Sequence, residues 1–153
     1  MDTNFVNSHR QKAIDAFREA IQTAEKRLAK TLSSDSIDTA KVLIELAELH
    51  LLSNETAKAE EEFTKALDFF YGCANEDVQT CIVYVVYILK TQSGIHECMG
   101  RRKEAKTEEK EALIWEEKLN KLNKLNSEQT NRPHLVSHTV TVLSNVFIGI
   151  TFA

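Results

Sequence analysis

The residues of this sequence best suited to chemistry are three cysteines and one histidine. The side chains of Cys73, Cys81, Cys98 and His96 can ligate a metal or take part in redox reactions. A zinc site usually shows a close ligand pair such as CxxC together with a fourth ligand, and no such pair occurs here. Buried thiols and a core histidine are therefore the favoured interpretation. A metal-binding or redox-active helical bundle is the alternative.

The sequence carries none of the common catalytic motifs. It contains no GxSxG elbow, phosphate-binding loop, HExxH motif or pair of carboxylates at catalytic spacing. We therefore expect a protein that is not an enzyme and that needs no cofactor. An odd number of cysteines without disulfide spacing favours a reducing compartment, and the first residues show no targeting pattern, so a cytoplasmic location is expected.

Composition favours a helical protein without a nucleic-acid partner. The 153 residues include only one Pro and four Gly, which leaves few signals for turns between strands. The 19 basic residues are outnumbered by 23 acidic ones, so the charge balance predicts no surface for binding phosphate backbones.

Apolar spacing predicts five helices. Apolar residues recur every three or four positions over residues 10–30, 39–52, 56–70 and 101–126. Asp38 and Asp77 are expected to cap the second and fourth helices. The run CIVYVVYIL after Asp77 could be a buried strand, but no second strand is available to pair with it, so a buried helix is expected.

Small and large residues alternate with a period of 46 residues. Ala59 repeats the place of Ala13 (59 − 13 = 46), and Ala105 repeats that of Ala59 (105 − 59 = 46). Alanines let two helix backbones approach closely, while neighbouring large residues fill the space beside the contact. This pattern predicts an all-α fold of antiparallel helix pairs stacked as a short solenoid.

The residues between 40 and 66 resemble a known family. They are similar to the tetratricopeptide repeat pattern. Two segments, SDSIDTAKVLIELA and YGCANEDVQ, resemble the openings of repeats of the kinesin-light-chain subtype. His50 and His96 stand where the family has Tyr. The residues that carry the resemblance are Ala40, Leu43, Leu46, Ala47, His50, Ala59, Phe63 and Ala66. The resemblance implies a repeat region over residues 1–126, consisting of the second helix of a partial repeat and then two repeats.

The family resemblance also implies a function. Tetratricopeptide repeats act as protein–protein interaction modules or adaptors that bind a peptide or partner helix in a groove. The groove face would carry Lys41, Ile44, Glu45, Glu48 and Leu52. Glu45 and Glu48 would favour a basic or amphipathic peptide.

Residues 127–153 are expected to be a linker followed by an apolar segment. SHTVTVLSNVFIGI, residues 137–150, resembles the first helix of a further repeat, which suggests a short isoform or a fragment of a longer array. Self-association through this segment is one expectation. The alternative is a membrane tether over residues 139–153, although 15 residues fall short of the roughly 20 that a spanning helix needs.

Overall fold

The computed structural model describes residues 3–31, 37–72 and 77–130, and these form five α-helices. No strand occurs within those ranges, so the prediction of an all-α fold is confirmed. The run CIVYVVYIL lies inside the fourth helix, as expected. The helices are α1 (Thr3–Thr31), α2 (Ile37–Leu52), α3 (Thr56–Gly72), α4 (Val78–Cys98) and α5 (Arg102–Thr130).

The chain divides into two compact units, Met1–Phe69 and Phe70–Ala153. In the first unit α1 packs against α2, and in the second unit α4 packs against α5. Each unit contains one helix pair joined by a short turn, α2 to α3 in the first and α4 to α5 in the second. The apolar tail predicted after residue 130 lies outside the described residues.

Helix ends differ from the sequence predictions most clearly in α1, α2 and α5. α1 begins at Thr3 rather than near residue 10, because residues 3–9 contain no Pro or Gly to stop it. α2 begins at Ile37, so the prediction that Asp38 caps it is wrong. Asp38 instead lies in the first turn, where a carboxylate is stabilised by the helix dipole. α5 continues to Thr130, four residues beyond its predicted end.

Asp77 caps α4 as predicted. Its carboxylate accepts hydrogen bonds from the Thr80 hydroxyl at 2.6 Å and from the Thr80 backbone amide at 3.3 Å. These bonds favour the ionised carboxylate and hold the pKa of Asp77 below its ordinary value. The cap fixes where the buried helix α4 starts.

The two helix pairs have the same turn. In the first, the Asn54 amide donates to the Leu51 carbonyl at 3.0 Å and the Glu55 amide donates to the His50 carbonyl at 2.8 Å. In the second, Gly100 donates to Glu97 at 3.0 Å and Arg101 donates to His96 at 2.8 Å. Asn54 and Gly100 both have a left-handed backbone, with φ of 63° and 77°. Each turn is thus a Schellman motif, and the two are offset by 46 residues (100 − 54 = 46).

Alanines lie where the paired helices cross. Ala47 and Ala59 are fully buried in the first pair. At the equivalent place in the second pair, the Ser93 hydroxyl donates to the Ala105 carbonyl at 2.9 Å, which shows how closely the two backbones approach. The predicted role of small residues as points of close contact is confirmed at Ala105.

In each pair, a contact between a buried histidine and a glutamate also joins the two helices. His50 Nδ1 lies 2.6 Å from Glu62 Oε2, and His96 Nδ1 lies 2.7 Å from Glu108 Oε2. Both histidines are 3% exposed. The two contacts are again offset by 46 residues (96 − 50 = 46 and 108 − 62 = 46), so the repeat extends from the backbone to its polar contacts.

Candidate functional site

The predicted groove face on α2 is only partly available to a ligand. Ile44 is 6% exposed and belongs to the core, because its side chain points away from solvent. Both carboxylate oxygens of Glu45 accept hydrogen bonds from Arg27 on α1, at 2.9 and 2.7 Å. Lys41 and Leu52 are exposed and Glu48 is half-buried. The predicted acidic character of this face is therefore reduced by a partner within the unit.

A larger groove lies between α1 and the turn from α2 to α3. It encloses about 550 Å³, and we call it the α1 groove. Leu52 is the one member of the predicted face that lines it. The lining residues are Arg10, Ala13, Ile14, Phe17, Arg18, Ile21, Gln22, Glu25, His50, Leu52, Ser53, Asn54, Glu55 and Lys58.

The floor of the α1 groove includes two repeat positions, Ala13 and Phe17, that are buried elsewhere. Ala59, Phe63 and Ala66 on α3 are all 0% exposed. Their equivalents on α1, 46 residues earlier, are Ala13, which is exposed, and Phe17 and Ala20, which are half-buried. On α5 the equivalent alanines Ala105 and Ala112 are 5% and 0% exposed. In the described residues, α1 thus has an apolar side that lacks the cover found on its two copies.

Charged side chains surround this floor. Lys58 donates to Glu55 at 3.0 Å, and the bond raises the pKa of Lys58 and lowers that of Glu55. Arg18 lies 3.6 Å from Asp15 on the exposed side of α1. The rim therefore carries charges of both signs around an apolar centre, which suits the apolar face of an amphipathic helix.

The second unit has a smaller and more polar groove between α4 and α5. It encloses about 370 Å³ and is lined by Lys90, Ser93, Gly94, Glu97, Glu109 and Leu113. Lys90 also forms an ion pair with Glu116. The equivalent positions of the first pair are mostly apolar and include Ile44, Ala47, Leu51 and Phe63. Four of the six lining positions of this groove are therefore polar where the first pair has apolar residues, while Leu113 stays apolar and exposed.

The cysteines and His96 do not assemble a ligand set in the part of the chain that the structure describes. There, no group of three or more His, Cys, Asp or Glu side chains is arranged to hold a metal ion. Cys81 is buried, Cys98 is exposed, and His96 bonds to Glu108. Cys73 lies outside the described residues.

The residues that sequence reasoning missed are the glutamates that pair with the buried histidines. In the sequence pattern, Glu62 and Glu108 lie outside the apolar stripes of their helices, so a buried contact was not expected. Each follows its histidine by 12 residues. The signal that could have identified these pairs is the His-to-Glu spacing of 12 residues, which recurs after 46 residues. Burial raises the pKa of Glu62, and hydrogen bonding to His50 opposes the shift.

Comparison with known proteins identifies no relative. No protein-family model matches the chain, and no match is found among curated proteins or solved structures. The tetratricopeptide resemblance accordingly stays a prediction. None of the described helices is both long enough and apolar enough to cross a membrane.

Proposed function

We propose that this protein is a non-catalytic interaction module of tetratricopeptide-like helix pairs stacked as a short solenoid, which binds a peptide or partner helix in the α1 groove. One observation carries the proposal. The positions that are fully buried on α3 are more exposed on α1, where Ala13 is exposed and Phe17 and Ala20 are half-buried. An apolar helix side left open beside a groove is the surface that a partner helix covers in helix-in-groove binding.

The repeated turn supports the stacked arrangement. Two helix pairs with the same Schellman hydrogen bonds and the same buried His–Glu contact are two copies of one structural unit. Such units bury their apolar faces by stacking on neighbours. Lys41, Glu48 and Leu52 lie along the same side of α2, at spacings of seven and four, and extend the proposed binding surface beyond the groove.

The proposed setting is the cytoplasm. Three cysteines, an odd number without disulfide spacing in the sequence, suit a reducing compartment.

A matched pair of substitutions tests the binding site. Ile14 in the α1 groove is 41% exposed and Ile114 on α5 is 52% exposed, so Ile14→Glu and Ile114→Glu introduce the same charge at surface sites. We expect Ile14→Glu to remove the proteins captured by wild type from a cell lysate, because a carboxylate on an apolar floor must be desolvated by the partner. Quantitative mass spectrometry of the captured proteins is the measurement.

Ile114→Glu serves as the control and should capture the wild-type set. Far-UV circular dichroism checks that both variants keep their helix content. If both variants capture the same proteins as wild type, the α1 groove is not the binding site.

A further inference from the structure

We propose that the groove between α4 and α5 is a second binding site, which takes a short peptide segment with a lysine or arginine next to a large apolar residue. The site lies wholly within the second unit and is separate from the α1 groove. Its lining offers open space at a glycine, an exposed leucine, and two carboxylates without a cation.

Gly94 leaves open space in this groove. It lies inside α4, which runs over Val78–Cys98, and it lines the groove together with Leu113. A Cβ added at Gly94 would meet no atom within 4 Å, and the backbone there is helical, so neither packing nor a left-handed conformation requires a glycine. Glycine inside a helix costs stability relative to other residues. Its presence at an open groove therefore points to a group from outside the chain that needs the space.

Leu113 gives the groove an apolar surface. Its side chain is 57% exposed, although leucine is more stable when covered. Leu113 follows Glu109 by four residues, so the two side chains lie on the same side of α5. A large apolar side chain of a ligand would cover Leu113 and remove its surface from water.

Two carboxylates determine which charge the ligand carries. Glu97 on α4 and Glu109 on α5 both line the groove. Within the described residues neither side chain forms a hydrogen bond or an ion pair, and Lys106, one turn before Glu109, pairs with neither. Lys90, the basic residue of the lining, forms an ion pair with Glu116. The groove thus presents two negative charges that its own lysine does not neutralise.

The position of Glu97 strengthens the preference for a cation. Glu97 lies in the last turn of α4, where the helix dipole places partial negative charge. A carboxylate at this end of a helix is unfavourable unless a positive charge lies nearby. An ammonium or guanidinium group between Glu97 and Glu109 would relieve that repulsion, while the apolar residue next to it packs on Leu113. Complementary charge of this kind selects the ligand.

The size of the groove limits the ligand to a short segment. The groove encloses about 370 Å³, near the lower end of the range for ligand pockets. A contact of this size by itself gives a dissociation constant of about 0.1–1 mM. Such a complex is lost in the washing steps of a capture from lysate, so it has to be measured by titration.

A peptide titration followed by NMR tests the site. The full-length ¹⁵N-labelled chain is titrated with a capped tripeptide of leucine, lysine and leucine, and in parallel with the same tripeptide carrying glutamate in place of lysine. The lysine peptide should shift the amide signals of Gly94 and Leu113 with a dissociation constant of about 1 mM or below, and the glutamate peptide should bind at least about tenfold more weakly. Equal binding of both peptides, or shifts confined to residues outside the groove, would overturn the proposal.

Charge reversal at two matched positions separates binding from folding. Glu97→Lys places a cation at the negative end of α4, which favours the helix, and should weaken binding of the lysine peptide about tenfold or more. Glu128→Lys makes the same change in the last turn of α5, outside the groove, and should bind like wild type. If Glu97→Lys also bound like wild type, the carboxylate would not hold the ligand and the proposal would be wrong.

A substitution at Gly94 tests the open space. Gly94→Gln places a long side chain in the groove and should weaken the lysine peptide at least about fivefold. The midpoint of thermal unfolding should rise in the same variant, because glutamine is more favourable than glycine in a helix. Weaker binding in a more stable protein excludes unfolding as its cause, whereas unchanged binding would place the peptide elsewhere and contradict the proposal.

The two binding sites fail separately. Ile14→Glu alters the α1 groove alone and should bind the lysine peptide like wild type. If wild type binds no lysine peptide but Ile14→Glu still loses the captured cellular proteins, this inference is wrong and the proposed function stands.

Discussion

His50 and His96 occupy equivalent places but face different charges. His50 Nε2 lies 3.6 Å from Glu55, in addition to the Glu62 contact at Nδ1. In the second pair, Arg101 takes the position of Glu55 (101 − 55 = 46), and Glu104 takes the position of Lys58 (104 − 58 = 46). Arg101 donates a hydrogen bond to Glu104 at 3.0 Å. The turn thus keeps an ion pair while the signs are exchanged. His50 lies between two carboxylates, and the position beyond His96 is basic.

Removing His50 should destabilise the first unit. His50→Leu leaves the Glu62 carboxylate, whose side chain is 14% exposed, without its closest partner. We expect the free energy of unfolding at about pH 7 to fall by about 1–3 kcal/mol, since an unsatisfied buried polar group retains its desolvation cost. Urea unfolding followed by circular dichroism measures the loss.

The pH dependence separates this cause from a packing defect. Burial raises the pKa of Glu62, and removal of His50 raises it further. The folded state then holds the proton more tightly than the unfolded state, so stability falls as pH rises from the unfolded value of 4.5 through the folded pKa. The loss should shrink at about pH 4. The double variant His50→Leu, Glu62→Leu is the control and should lack this trend; a pH-independent loss in His50→Leu would contradict the explanation.

At the scale of elements, two glycines in α4 and its turn have opposite roles. Gly94 lies inside α4 with nothing near the position of an added Cβ, whereas Gly100 has φ of 77° in the turn. Gly94 lowers the stability of α4, because glycine loses more conformational freedom in a helix than other residues do. Gly100 adopts a left-handed backbone conformation that is energetically unfavourable for other residues.

Alanine at these two positions should therefore change stability in opposite directions. We expect Gly94→Ala to raise the free energy of unfolding by roughly 0.5–1 kcal/mol, because alanine loses less conformational freedom in a helix. Gly100→Ala should lower it by roughly 1–2 kcal/mol. Thermal unfolding followed by the fluorescence of Trp115, the single tryptophan, reports on the second unit. If the free energy of unfolding changed in the same direction in both variants, the left-handed backbone at Gly100 would not be the reason for a glycine there.

Much of the helical framework could be predicted from spacing. Of the apolar stripe that periodicity predicts on α5, Ala105, Ala112, Trp115 and Leu122 are buried and Leu119 is half-buried. The start of α2 could not be predicted, because Asp38 suits both a cap and a first turn. The α1 groove was also missed. Its floor has the same residue types as the buried side of α3, and exposure depends on which neighbour covers a helix rather than on the helix's own sequence.

Across the described residues, large apolar side chains are exposed in both units. Phe5, Val6 and Ile14 are exposed on α1, and Val83, Leu113 and Ile114 are exposed on the second pair. A partner in the α1 groove would cover Ile14 and Phe17, so binding there should be driven by apolar burial and should depend little on attraction between opposite charges.

Salt should therefore leave partner binding in the α1 groove intact. Raising NaCl from about 0.05 M to about 0.5 M shortens the range of charge interactions several-fold. We expect the amount of each captured protein to stay constant or to rise. Quantitative mass spectrometry of the captured proteins at both salt concentrations is the measurement, with Ile14→Glu as the control that lacks the contact. An amount that falls about tenfold with salt would indicate contacts between charged residues instead.

The repeated turn has a consequence for how such a chain can change in length. Both Schellman motifs and both His–Glu contacts recur after 46 residues, although the residues around them have diverged in charge and size. Tandem duplication of one helical hairpin would produce this pattern, in which the contacts at the turn stay alike while the surface residues differ. An insertion of 46 residues preserves the phase of every joint, while a shorter one breaks it. Whole hairpins are therefore the units by which this architecture grows or shrinks.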